Sequence, residues 1–111
     1  MIYKLLTLPQ YQQALADCRF GGAPVDVSDG FIHFSTAIQV EETASKHFSG
    51  QSELKLLAFD TDDFGSALEW EPSRGGDLFP HLYDTLDIKK AKAVHDLRTL
   101  PDGSHQFPEK F

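Results

Sequence analysis

The sequence predicts a single α+β domain over residues 1–111, with more strand than helix. Three observations carry that expectation. Short apolar segments of strand character recur along the whole chain, and only two segments combine helical spacing with recognisable start signals. A hydrophobic content of 41% in 111 residues suits one modest core. No low-complexity tract, long linker or internal repeat divides the chain.

Ile2–Leu6 reads as the first strand. Thr7 and Pro9 mark the start of a helix over Gln10–Asp17, because proline is accommodated in a first turn. Phe20–Asp29, rich in glycine, proline and aspartate, reads as a loop. DGFIHFST, from Asp29 to Thr36, follows as the second strand, with Phe31, His33 and Ser35 on one face and Ile32 and Phe34 on the other. Thr36 then serves as an N-cap, and Gln39 completes a capping box. Val40, Ala44, His47 and Phe48 recur at helical spacing behind it, which places His47 on or beside a buried stripe, and Gly50 supplies the stop.

ELKLLAFD, residues 53–60, is apolar on both faces and reads as a central strand. Thr61–Gly65 is a turn. In ALEWE, residues 67–71, Leu68 and Trp70 alternate with Glu69 and Glu71, so one face is expected to be buried and the other to carry two carboxylates. SRGGD is a flexible loop. LFPHLY is a short strand that Pro80 is expected to confine to a sheet edge. Ala91–Phe107 reads as a hairpin turning at Pro101-Asp102-Gly103.

The net charge of −7 argues against a large nucleic-acid footprint, since an acidic surface repels phosphate backbones and the basic residues cluster only at Lys89, Lys90 and Lys92. No apolar run approaches the roughly 20 residues that span a bilayer. The N-terminal stretch lacks the pattern of a secretory signal, and the single cysteine, Cys18, excludes an internal disulfide. A cytoplasmic protein with a small-molecule partner is the expectation.

Five histidines raise the question of a metal, but no HExxH and no zinc-type Cys/His spacing is present, so none is expected. Arg74-Gly75-Gly76 combines a guanidinium with two glycines that let backbone amides approach an anion; an ordinary surface loop is the alternative. FPHLY places His81 and Tyr83 on one side of a strand and repeats the pattern of His33 and Ser35. If the two strands are close, two imidazoles and two hydroxyls line one concave site. Hydrogen bonding within a core would produce the same pattern.

GFIHFST, LKLLAFD, WEPSRGG and FPHLY, in that order and behind an N-terminal IYKL, resemble the family known as domain of unknown function 952 (DUF952) over nearly the whole chain. The resemblance implies an ADP-ribosyltransferase-like fold: a split mixed β-sheet with two main helices around a nicotinamide-dinucleotide cleft. GFIHFS followed by a helix is also similar to the second motif of poly-ADP-ribose polymerases, where His33 takes the place of the tyrosine that stacks on nicotinamide. It resembles the His-Leu-Ser strand of tRNA 2′-phosphotransferases as well. At the first motif Tyr3-Lys4-Leu5 stands where a His-Gly pair is usual, so Lys4 would replace one contact. At the third, Pro80-His81-Leu82 aligns and the usual glutamate is displaced.

These expectations assemble into a site. His33, His81 and Glu71 are the candidate catalytic residues. Lys4, Ser35, Thr36, Arg74, Gly75, Gly76 and Tyr83 are the candidate ligand contacts, with the N-terminal amides of the Thr36 helix facing an anionic group. The resemblance implies NAD, ADP-ribose or a phospho-ribose compound as ligand, with ADP-ribosyl or related transfer as the reaction. A binding module that kept the cleft without the chemistry, and a protein-interaction domain, are the alternatives.

Overall fold

The computed structural model describes residues 1–109 and 111, with Arg74 described by its backbone. The helices and strands, in chain order, are β1 (Ile2–Leu6), α1 (Leu8–Asp17), α2 (Pro24–Asp29), β2 (Ile32–His33), α3 (Ala37–His47), β3 (Leu54–Phe59), β4 (Leu68–Pro72), β5 (Leu78–Leu82), β6 (Ala93–Thr99) and β7 (His105–Gln106). They form a four-stranded sheet ordered β1-β3-β6-β7 and a three-stranded sheet ordered β2-β5-β4. All the described pairings are antiparallel, where a mixed sheet was expected.

β3 is the central strand that its two apolar faces imply, set between β1 and β6. Its two faces serve two clusters. Leu57 and Phe59 pack with Ile2, Leu6, Phe34, Leu82 and Leu86 on one side, while Leu54, Leu56 and Ala58 pack with Tyr3, Leu5, Val40 and Ala44 on the other. α3 covers the second face through Val40 and Ala44. Its capping box is formed as expected: Gln39 N–H donates to Thr36 Oγ1, and Thr36 N–H donates to Gln39 Oε1. α1 starts at Leu8 under the same device, with Thr7 as N-cap and Gln10 reaching back to it.

Four expectations need correcting. Residues 20–29 are not all loop, since Pro24–Asp29 forms the short helix α2. The signal was present: Pro24 in the first turn, Asp26 two residues on and Gly30 just past the end make a start and a stop. His47 does not sit on the buried stripe; it is exposed at the last turn of α3. Trp70 is 45% exposed rather than buried, on the edge strand β4. Pro80 lies in the middle strand of its sheet rather than on an edge.

The position of Pro80 explains how the sheets divide. Phe34 N–H donates to the Pro80 carbonyl at 3.0 Å, so that side of Pro80 faces the β2 chain. An ordinary residue would return a hydrogen bond from its own N–H, and proline has none. The β2–β5 ladder therefore ends there, and the next residue turns to β1 instead. Tyr3 N–H donates to Ser35 O at 2.8 Å and Ser35 N–H to Tyr3 O at 2.9 Å. Among the described residues a single backbone pair, Tyr3 with Ser35, thus bridges the two sheets, and the space on the His33 side of that junction opens as a cleft.

Candidate functional site

The split leaves the backbone of His33 without a strand partner on the β1 side, and a buried ion pair fills that role. Lys4 Nζ donates to the His33 carbonyl at 2.8 Å, and Asp26 Oδ1 accepts the His33 N–H at 3.1 Å. The two side chains also bond each other, Nζ to Oδ2, at 3.1 Å. Lys4 is 7% exposed and Asp26 1%. Burial alone would raise the Asp26 pKa, but the His33 ring, the Lys4 charge and the amides of His33 and Ala23 outweigh it and hold it at about 2. Burial lowers the Lys4 pKa against the opposing pull of Asp26.

Asp26 also fixes the His33 ring. Its Oδ1 lies 2.6 Å from Nδ1, and Asp29 Oδ2 lies 2.9 Å from Nε2. Only a ring carrying both protons donates to both carboxylates. Across the sheet, His33 pairs in register with His81. Since Phe34 and Pro80 occupy the hydrogen-bonded position, His33 and His81 occupy the non-hydrogen-bonded one, where side chains stand closest. Their ring centroids are 5.4 Å apart at 71°, and Phe31 stacks on His81 at 4.0 Å and 27°.

His81 has its own carboxylate. Glu71 Oε1 lies 2.8 Å from Nδ1 and also accepts the Tyr83 hydroxyl at 2.6 Å. The bond from Tyr83 and then that from His81 hold the Glu71 carboxyl below its ordinary pKa, and Glu71 in turn raises that of Tyr83. His81 is 4% exposed, and its Nε2 is buried with no hydrogen-bond partner among the described residues.

The cleft beside these residues encloses about 600 Å³. Lys4, Asp26, His33, Ser35 and His81 line it together with Thr43, Lys46 and His47 of α3, Phe48 just beyond that helix, and Ser73, Leu5, Phe34 and Phe79. No group of three or more metal-ligating side chains occurs among the described residues.

The sequence-derived candidates divide accordingly. His33, His81, Lys4 and Ser35 converge on the cleft, and Glu71 and Tyr83 stand behind His81. The Lys4 protons are spent on Asp26 and the His33 carbonyl, so Lys4 supports the floor and is not left to replace a ligand contact. Thr36 is occupied by the capping box, and the cleft meets the C-terminal half of α3 rather than its N-terminal amides. Gly75 and Gly76 lie outside the cleft lining, where φ values of 69° and 89° build the β4–β5 turn. The Arg74 side chain lies outside the described residues. Glu69 points to solvent on the β4 edge. Asp26, Asp29 and Phe31 were missed. The first two were hidden by the loop reading of residues 20–29, although the helix signals around Pro24 would have placed both one turn apart, facing His33.

The family described as "Protein of unknown function (DUF952)" matches residues 5–94. The chain belongs to the DUF952 family. It is similar to protein CC0527 from Caulobacter crescentus, whose crystal structure shares 46% identity over 95% of this chain and 92% of that one, with a TM-score of 0.91. The solution NMR structure of CC0527 gives 46% identity, 95% and 90% coverage and a TM-score of 0.84. No curated protein matches. Within this DUF952 domain, no helix of the described residues is long and apolar enough to cross a membrane.

Proposed function

We propose that the cleft binds a phosphorylated ribose compound, with NAD and ADP-ribose as the leading members of that class, in an ADP-ribosyltransferase-like split sheet. The observation that carries this reading is the divergence at Ser35, where the β2 chain leaves β5 for β1 and sets two carboxylate-oriented imidazoles along the cleft lining. Hydroxyl-rich sugars suit such a lining, because His81 Nε2 lacks a partner among the described residues and the Ser35 hydroxyl, already bonded to Thr43, has a further lone pair to accept with. Lys46 and His47 lie along the same cleft and supply the basic side chains that a phosphate requires.

Binding is favoured over ADP-ribosyl transfer. A carboxylate facing the ribose is expected for stabilising an oxocarbenium-like centre, and Asp26 and Glu71 are both committed to histidines while Glu69, exposed on β4, does not line the cleft. The second reading, transfer to or from a ligand hydroxyl, draws on the unpartnered His81 Nε2. The test is a thermal-shift titration with NAD⁺, ADP-ribose and ribose 5-phosphate, on the parent chain and on His33→Ala. A ligand at 100 times its Kd adds about 2.7 kcal/mol of stability. A shift that His33→Ala abolishes supports the reading; no shift with any compound overturns it.

A further inference from the structure

The two imidazoles on the cleft floor are not equivalent. His33 has a carboxylate at each nitrogen, whereas His81 has one at Nδ1 and nothing at Nε2. A carboxylate is an acceptor only, so the contact with Glu71 requires the proton on Nδ1. The Glu71 carboxylate is kept ionised by accepting the Tyr83 hydroxyl as well, which leaves it no competing role. In the neutral ring, Nε2 then carries a lone pair. That nitrogen is buried, on a ring clamped flat against Phe31, in a strand whose neighbours fix its position.

A buried polar atom without a partner is costly unless something completes it. His105 offers a contrast: its Nδ1 is likewise unpartnered among the described residues, but its Nε2 donates to the Gln51 main-chain carbonyl and the ring does not line this cleft. Its hydrogen bond ties the β7 hairpin to the loop before β3. His81 instead faces the cleft, and its orienting group is an acidic side chain rather than the backbone.

We propose that His81 Nε2 is a hydroxyl subsite, a hydrogen-bond acceptor that Glu71 holds ready for an O–H group of the cleft's ligand. The identity of that hydroxyl as a ribose hydroxyl rests on the function proposed above. The arrangement selects a neutral donor over an oxyanion, because a lone pair repels a phosphate oxygen and welcomes a hydroxyl proton. Glu71 acts through His81 and is a positioning residue. Tyr83, 47% exposed, secures Glu71 from the solvent side.

The test is side-chain NMR of the ¹⁵N-labelled full chain, which reads protonation at each imidazole nitrogen directly. In the parent protein the His81 proton is expected on Nδ1, with Nε2 bare. Glu71→Leu removes the acceptor at Nδ1 and is expected to move the proton to Nε2, while Tyr83→Phe keeps the Glu71 contact and is expected to leave it on Nδ1. Ribose 5-phosphate should shift the Nε2 resonance, inorganic phosphate should not, and Glu71→Leu should weaken ribose 5-phosphate binding about tenfold. A proton on Nε2 in the parent chain overturns the assignment, as does ribose 5-phosphate binding that leaves Nε2 unmoved or is equally tight in Glu71→Leu. Failure of every ribose compound to bind rejects the ligand class together with the subsite, so the two failures are told apart by whether binding is seen at all.

Discussion

The two sheets are built from strands of similar length and differ in how they satisfy their interiors. In the four-stranded sheet, β3 is buried on both faces by aliphatic and aromatic side chains, while its neighbour β6 turns Val94, Asp96 and Arg98 to water. In the three-stranded sheet, Leu82 and Ile32 point into the core while the opposite face carries His33, His81, Glu71 and Tyr83. The first sheet is held by packing, which is non-directional and tolerant of small shifts. The second face is held by directional bonds between charged and polar groups, which keep atoms in place only while every partner is present. A scaffold and a site are thus assigned to different sheets, joined through Tyr3 and Ser35.

The comparison is tested most severely by removing one member from each region. Phe59→Ala, at a fully buried position of β3, should cost about 3–5 kcal/mol in denaturant-monitored unfolding. Asp26→Ala should cost a similar amount, about 3–5 kcal/mol, because it leaves the Lys4 ammonium buried without its counter-charge. A difference appears in the repair. Lys4→Met combined with Asp26→Leu removes the stranded charge, yet the His33 N–H and C=O still lose their partners, so a cost of about 1–3 kcal/mol should persist. Full recovery of stability in the double variant would show that the pair does not stand in for a missing strand.

Acid should act on the polar region first. The folded Asp26 pKa of about 2 lies below its ordinary value of 3.8, so its contribution is complete above the unfolded value and is lost as pH falls through the folded one. A loss of about 2 kcal/mol is expected between roughly pH 4 and pH 2. Lys4→Met removes a charge that lowers this pKa, so the acid limb of a stability-versus-pH curve should move to higher pH. An unchanged limb would mean that the His33 bonds alone hold the carboxylate.

Smaller effects belong to the β4–β5 end. Gly76→Ala places a Cβ at φ 89°, and a cost of about 1 kcal/mol is expected with no change in ligand affinity, since the turn lies outside the cleft lining. Trp70→Ala should stay within about 0.5 kcal/mol, the range of exposed positions, when measured by chemical denaturation.

Local chemistry made much of this legible in advance. The helix start at Thr7 and Pro9, the capping box at Thr36 and the turn at Asp102-Gly103 rest on neighbours a few residues apart, and period-two alternation was enough to divide Phe31, His33 and Ser35 from Ile32 and Phe34. Burial on two faces also announced β3. Trp70 and Pro80 were misread because edge or centre is not a property of a strand but of what lies beside it. α2 was misread for a different reason: six residues with two valines outward and Asp26 inward carry no apolar stripe, so composition outweighed the cap signals.

His33 and His81 could be named as a pair from the repeated His-x-hydroxyl pattern, because strand alternation is local. Their inequality could not. It depends on Asp26 and Asp29 arriving from one helix and Glu71 from an edge strand, contacts close in sequence whose geometry is set by how α2 and β4 pack against β2 and β5. The sequence by itself determined the family, the antiparallel-capable strands, the capped helices and the face on which the polar residues stand, since each follows from short-range geometry. Only the tertiary structure decided that Lys4 and Asp26 replace a strand, that the sheets part at Pro80, and which imidazole nitrogen is left with its lone pair, because each requires distant segments to meet and compete for the same donors and acceptors.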